Sequence, residues 1–339
     1  MYPVMRLLYA QGVASLRTRL IFLTCALACS LGLAGPAGAS QLIDRNPGHV
    51  KLQVNSHGIA LITYRAHGKL IHLIARGAIN ARLRPDKPGV KQVHFKLDYV
   101  GGRAAFGPQI WKHFKNTCQP YDGPPLAWEV TACTASDGSY WALQNWRTPL
   151  PGLGFAPWLI RQKQWWLHLS HWSGAPAVLD VYQDWVYGRH IPEIFGQLTY
   201  RGVGIRGYGT TYKGNPTDTY GRLLYLDTHN SKYGKGWKRE EAFVASGPPG
   251  LFCFGFFKRD PYTGGHPHPP GTPHKKRGPA IGDMYRLTAV GPGVTPDLMW
   301  EAPALHKYDS NDPADAAYED AMNTKLDQIR NGWHKCLHH

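Results

Sequence analysis

Short segments of alternating apolar and polar residues, separated by glycine and proline, recur along most of this chain. Residues 92–100 show the pattern most clearly, with apolar side chains at positions 93, 95, 97 and 99 and polar ones at positions 94, 96 and 98. Two aromatic, β-branched segments flank Asp137-Gly138, a dipeptide that favours a tight hairpin turn. Because strands do not alternate regularly with helices, the pattern predicts an all-β fold, mainly an antiparallel sandwich or barrel-like.

One segment departs from this pattern. Pro313–Arg330 has a partial apolar stripe at helical spacing and predicts one C-terminal α-helix. Asp312 is placed to cap its start, proline suits the first helical position, and Gly332 is placed to end it.

The first 39 residues predict export. Two arginines precede the apolar run Leu20–Leu33, and Ala37-Gly38-Ala39 matches an A-x-A cleavage motif. The run is shorter than the about 20 residues that span a bilayer, so we expect no integral membrane segment in the mature chain. The sequence therefore predicts a signal peptide at 1–39 and a secreted, extracellular domain at 40–339.

Four cysteines remain after the predicted leader, an even number in an oxidising compartment: Cys118, Cys133, Cys253 and Cys336. Of three connectivities, Cys118–Cys133 with Cys253–Cys336 is the most economical. The first pair would close a loop of about 15 residues, worth roughly 3 kcal/mol. A metal site is the alternative interpretation, but there is no C-x-x-C pair, so we predict no metal site and no cofactor.

The mature chain is basic. The leader contains three arginines and no acidic residue, which leaves 35 basic and 23 acidic residues. This excess favours an anionic partner such as an acidic polysaccharide or another cell-wall polymer. General solubility is the alternative, because the basic residues are scattered. Export makes a nucleic-acid partner unsuitable, and we expect none.

All 12 tryptophans lie in the mature chain, several in short clusters. A flat ring can stack on the C–H face of a sugar, so the clusters predict carbohydrate contacts at Trp165, Trp172 and Trp185. Burial in a β-sandwich core is the alternative for each of them.

A basic, glycine-containing segment follows at 233–240. Its aromatic and cationic side chains suit an anionic polymer, which predicts ligand contacts at Tyr233, Lys235, Trp237, Lys238 and Arg239. An ordinary surface hairpin is the alternative.

Asp227 and His229 lie where a predicted strand enters a loop, and alternation along a strand places them on one face. They predict a catalytic pair with His229 as general acid/base and Asp227 as its orienting carboxylate. Solvated or arginine-paired side chains are the structural alternative, and no catalytic motif supports the pair.

Two further segments bear on organisation. Residues 261–279 are rich in proline and histidine and predict an exposed loop whose histidines would bind metal only adventitiously. Proline and glycine near 149–157 mark a soft sub-boundary.

Three functions are compatible with these features. The first is a non-catalytic protein that binds cell-wall or extracellular polysaccharide, anionic or neutral. The second is a secreted hydrolase or lyase that acts on polysaccharide. The third is a surface or matrix structural protein.

Overall fold

The computed structural model describes residues 40–83, 90–103, 109–147, 164–205, 223–231, 235–243, 249–256, 281–333 and 336. The predicted leader, the soft boundary at 149–157 and the loop at 261–279 fall outside these ranges, and the division into domains stays a prediction. The described residues form one α-helix, α1 (Pro313–Arg330), a short 3₁₀ turn at Ile110–His113, and the strands β1 (Gln41–Arg45), β2 (Gly48–Val54), β3 (Ile59–Ala66), β4 (Lys69–Gly77), β5 (Phe95–Asp98), β6 (Gln119–Pro120), β7 (Glu129–Thr134), β8 (Tyr140–Arg147), β9 (Trp165–Trp172), β10 (Val178–Val186), β11 (Ile191–Tyr200), β12 (Val203–Gly204), β13 (Leu224–His229), β14 (Trp237–Phe243), β15 (Leu251–Gly255), β16 (Met284–Ala289) and β17 (Leu298–Pro303).

The strands form four antiparallel sheets, which confirms the predicted fold class. Sheet I has the order β1-β9-β8-β7-β6 and sheet II the order β2-β3-β4-β5. Sheet III has the order β14-β13-β16-β17, and sheet IV consists of β10-β11-β12 with β15 paired to β11.

Two apolar cores hold the sheets in pairs. Between sheets I and II, Trp141 and Leu167 pack with Ile62 and Leu73, all at 0% exposure. Between sheets III and IV, the equivalent core contains side chains from β11, β13, β15 and β16: Ile194, Leu198, Leu224, Leu226, Phe252 and Leu287. Each pair of sheets is therefore a β-sandwich, in which alternate side chains of the facing strands interdigitate.

A third cluster joins the two sandwiches. Trp146 of β8 packs against Tyr225 of β13, so sheet I meets sheet III on the face that it does not turn to sheet II. Sheet I is therefore covered on both faces, and β9 is buried at every position after Trp165. This second contact creates the pocket described below.

The helix α1 begins and ends where the sequence predicts. The Asp312 carboxylate accepts a hydrogen bond from the Ala314 N–H at 2.9 Å, and Asn331 adopts the left-handed conformation just before Gly332. Leu326 packs against sheet IV. No helix among the described residues is long and apolar enough to cross a membrane.

The four cysteines pair as predicted. Cys118 joins Cys133 with 5.8 Å between their Cα atoms, and Cys253 joins Cys336 with 5.7 Å. The first bond links the loop before β6 to β7, and the second links β15 to the segment after α1.

Candidate functional site

A pocket of about 270 Å³ lies where sheets I and III meet. We call it the Trp–Arg pocket, because four tryptophans and three arginines line it together with one aspartate. Sheet I and the residue before β7 supply Trp128, Trp146, Arg147 and Trp165, and sheet III supplies Asp227, Trp237, Arg239 and Arg286.

Strand register in sheet III aligns charges across one end of the pocket. Asp227 of β13 lies opposite Arg239 of β14 and opposite Arg286 of β16, which in turn faces Glu301 of β17. The row therefore alternates between basic and acidic residues. A β-bulge after Leu226 shifts the register so that Arg239 stands opposite Asp227.

Two ion pairs neutralise most of this row. Arg239 forms a bidentate ion pair with Asp227: Nε donates to Oδ1 at 2.6 Å, and Nη2 donates to Oδ2 at 3.1 Å. Arg286 pairs through Nε with Glu301. The Nη1 of Arg239 is buried and has no hydrogen-bond partner among the described residues.

Each pocket arginine lies beside a tryptophan ring. The guanidinium carbon of Arg286 lies 3.9 Å from the ring centre of Trp237 and 4.6 Å from that of Trp128. Arg147 lies 5.2 Å from the ring centre of Trp165. Such cation–π contacts fix the planes of rings and guanidinium groups while the guanidinium N–H edges remain available as donors.

Among the described residues, Arg147 provides the uncompensated charge of the pocket. Its side chain is exposed, and it forms no ion pair with any residue in the described ranges. Its neighbour Trp165 is 38% exposed. A ring and a cation are thus presented together to solvent at the end of β8 and β9, where an anionic ligand could reach both.

The structure corrects the predicted pairing of Asp227 with His229. The two residues lie on one side of β13, as expected, but the Asp227 carboxylate accepts hydrogen bonds from Arg239 and not from His229. His229 instead bonds through Nδ1 to Asp283 Oδ1 at 2.6 Å, and Asn230 donates to the other oxygen at 2.9 Å. The orienting carboxylate of His229 is therefore Asp283.

Asp283 and His229 form a small polar group beside the Trp–Arg pocket. The hydrogen bonds from Asn230 and His229 hold the pKa of Asp283 below its usual value. The His229 ring lies 5.0 Å from the Trp237 ring, and its side chain is 29% exposed.

Two tryptophans predicted to contact ligand are buried elsewhere. Trp172 has 0% exposure and packs with Tyr140 and Tyr121. Trp185 donates its indole N–H to the His306 carbonyl at 2.9 Å and is 4% exposed. Since neither ring reaches the surface, the stacking role predicted for them is corrected to a core role.

The predicted basic segment is divided by the structure. Trp237 and Arg239 lie in the pocket, but Arg239 is 1% exposed and bound to Asp227, so it is a wall residue and not a surface contact. Lys235 is exposed and Lys238 is half-buried, and neither lines the pocket. Tyr233 lies outside the described residues.

Sequence reasoning missed half of the pocket: Trp128, Trp146, Arg147 and Arg286. Trp146-Arg147 at the end of a predicted strand was a usable signal, because strand ends carry functional residues. Arg286 gave no signal of its own, since its role depends on strand register.

Within the described ranges, no group of three or more histidine, cysteine, aspartate or glutamate side chains is arranged to hold a metal ion. Comparison of the chain with models of protein families, with curated proteins and with solved structures finds no match.

Proposed function

We propose that this is a secreted protein that binds an acidic extracellular or cell-wall polysaccharide in the Trp–Arg pocket, without cleaving it. The carrying observation is that the arginines of one pocket each lie beside a tryptophan ring. A ring can stack on the C–H face of a sugar, and a guanidinium group can donate two parallel hydrogen bonds to a carboxylate or sulfate.

The size of the pocket supports a short stretch of polymer. Its volume of about 270 Å³ is near the lower end of ligand sites, which run from about 300 to 1,000 Å³. Roughly one or two sugar rings would fit such a site. Exposed Trp165 and Arg147 would contact the ligand first, and Arg286 between its two rings would provide the inner donor.

Calorimetric titration of the secreted protein with uronic-acid oligosaccharides, and with neutral ones of equal length, tests the proposal. We expect the acidic series to bind and the affinity to fall as salt rises to 0.15 M and above, where the Debye length is about 8 Å. Equal affinity for both series would overturn the anionic assignment, and no binding to either would overturn the function.

Matched variants locate the site. Arg147→Gln should weaken acidic-oligosaccharide binding about tenfold, equivalent to about 1.4 kcal/mol. Arg201→Gln is the control, since Arg201 is also exposed and stacked on an aromatic ring, Tyr200, but lies outside the pocket. A similar loss in both variants would mean that binding depends on overall charge and not on the pocket.

A polysaccharide hydrolase is the second candidate, favoured by the His229–Asp283 pair next to Trp237. With Nδ1 bound to Asp283, the Nε2 atom would act as the proton carrier. Release of new reducing ends from an acidic polysaccharide tests this candidate. His229→Ala should lower that rate by about 10²–10⁴-fold and leave binding intact, whereas no product from the unmodified protein would exclude it.

A further inference from the structure

A buried polar cluster lies at Ser40, the residue that follows the Ala37-Gly38-Ala39 motif. Ser40 is 5% exposed, and its backbone nitrogen donates to the Gly291 carbonyl at 3.0 Å. Its hydroxyl donates to Asp297 Oδ1 at 2.5 Å and lies 2.8 Å from Nδ1 of His168. The first residue of the predicted mature chain is thus fixed inside the fold.

Asp297 is the centre of the cluster. At 1% exposure, its carboxylate also accepts hydrogen bonds from the Trp146 indole and the Gly291 N–H, each at 2.7 Å, and lies 2.7 Å from His168 Nδ1. Burial raises the pKa of Asp297, but His168, Ser40 and Gly291 outweigh that effect and hold the pKa below its usual value. The site therefore contains a buried negative charge.

Among the described residues, the groups bonded to this carboxylate include no permanent cation. Ser40, Trp146 and Gly291 donate as neutral groups, and His168 is the only titratable donor bonded to the carboxylate among the described residues. The second ring nitrogen of His168, Nε2, is buried and has no hydrogen-bond partner in the described part of the chain. A buried carboxylate without a cation is unfavourable.

We propose that cleavage between Ala39 and Ser40 supplies the missing cation, so that the new α-ammonium group of Ser40 pairs with Asp297. In this hydrolysis by a signal peptidase, water adds to the Ala39 carbonyl and the C–N bond breaks. Ala39 leaves as a carboxylate that carries the water oxygen, and the Ser40 nitrogen gains the two protons of the water to become an ammonium group. One N–H can keep the bond to Gly291, and two more become available.

The covalent geometry of serine keeps the ammonium group close to the acid. Since the Ser40 hydroxyl lies 2.5 Å from Asp297 Oδ1, the nitrogen of the same residue lies within about 6 Å of that oxygen in any rotamer. Ser40 directly precedes β1, the edge strand of sheet I that pairs with β9. Removal of the leader would therefore add a charged contact at the residue that directly precedes this edge strand.

Two chains that differ by one residue test the proposal: one that begins at Ser40 and one that retains Ala39. We expect the Ser40 chain to have at least a tenfold larger equilibrium constant for folding at about pH 6. A free α-amino group has a pKa near 8, and pairing with Asp297 raises it, so the advantage is fully present below about pH 8. It should disappear as the pH rises through the raised pKa. Equal stability at pH 6 would overturn the proposal.

Asp297→Asn should remove the difference between the two chains, and a difference that persists in this variant would also overturn the proposal. If Asp297→Asn does not fold, the reactivity of the α-amino group gives the answer in the unmodified sequence. Reductive methylation should be slow at a buried, paired Ser40 nitrogen and fast at Ala39, so equally fast modification would contradict the pairing. Amino-terminal sequencing of the exported protein should begin at Ser40, and any other start would exclude it.

Discussion

A pair of buried acids on sheet IV predicts that the protein loses stability as the pH rises toward neutrality. Asp184 of β10 lies opposite Glu193 of β11, and their exposed fractions are 1% and 6%. Burial, with a smaller contribution from the charge of Glu319, raises the pKa of Asp184 to about 7. Burial, with a smaller contribution from the charge of Asp184, raises the pKa of Glu193 to about 8. Glu319 of α1 is itself paired with Arg189.

The direction and the size of the change in unfolding free energy follow from the linkage between proton binding and folding. Folded Glu193 binds a proton that the unfolded chain releases near pH 4.5, so the stability it contributes is fully present below about pH 4.5 and is lost as the pH rises through about 8. A change in pKa from 4.5 to about 8 corresponds to about 5 kcal/mol. The coupling to Asp184 divides this loss over two titration steps.

Glu193→Gln removes the titrating group while it keeps the shape of the protonated acid. Between about pH 4 and 9, urea unfolding should show the free energy of unfolding falling by about 3–5 kcal/mol more in the unmodified protein than in the variant, since the contribution of buried Asp184 is present in both. Glu129→Gln is the control, because Glu129 is an exposed strand residue. An equal fall in Glu193→Gln and in the unmodified protein would refute the reasoning.

Three further predictions concern stability, each measured by urea unfolding. Asp227→Asn should cost about 3 kcal/mol, because it leaves the buried guanidinium of Arg239 without its charged partner; a loss below 1 kcal/mol would show that water replaces the pair. Replacement of Cys253 and Cys336 by serine should cost about 4–5 kcal/mol, since their bond closes a loop of 83 residues; an unchanged midpoint would mean that the bond does not constrain the unfolded chain. Gly196→Ala should destabilise by about 1–3 kcal/mol or more, because the added methyl group would meet a backbone carbonyl and a phenyl ring of adjacent strands; a neutral effect would show that β10 and β15 can separate there.

Local signals in the sequence were sufficient for the elements that local chemistry determines. The bounds of α1 follow from its aspartate cap, its first proline and its terminal glycine. The disulfide pairing followed from economy of loop closure. The residues that begin and end α1 are near one another in the sequence. The four cysteines allow only three pairings, which can be compared one by one.

The strand β14 shows where local signals fail. Its first residues, Trp237–Arg239, were assigned to a basic surface segment because glycine and charge precede and accompany them. A buried arginine in a strand becomes favourable only when a carboxylate stands opposite, and that partner, Asp227, comes from another strand. Register, which depends here on a bulge, cannot be derived from the composition of one segment.

The arrangement of four sheets also lay beyond the sequence pattern. Alternation of apolar and polar residues identifies strands that have one solvent-exposed face. Sheet I is instead covered on both faces, so the polar residues His168 and Ser170 of β9 are buried between apolar neighbours. The Trp–Arg pocket exists because sheet I meets sheet III. Its members come from segments as far apart as Trp128 and Arg286, and no short-range signal connects them.

The indole N–H signals in a ¹H–¹⁵N spectrum test pocket binding most directly, because each tryptophan reports its own surroundings. On addition of an acidic oligosaccharide, we expect the signals of Trp165, Trp237 and Trp128, which line the pocket, to shift. The signals of buried Trp172 and Trp185 should stay unchanged. Shifts confined to those two buried rings, or no shift at saturating oligosaccharide, would contradict the proposal that the Trp–Arg pocket binds acidic polysaccharide.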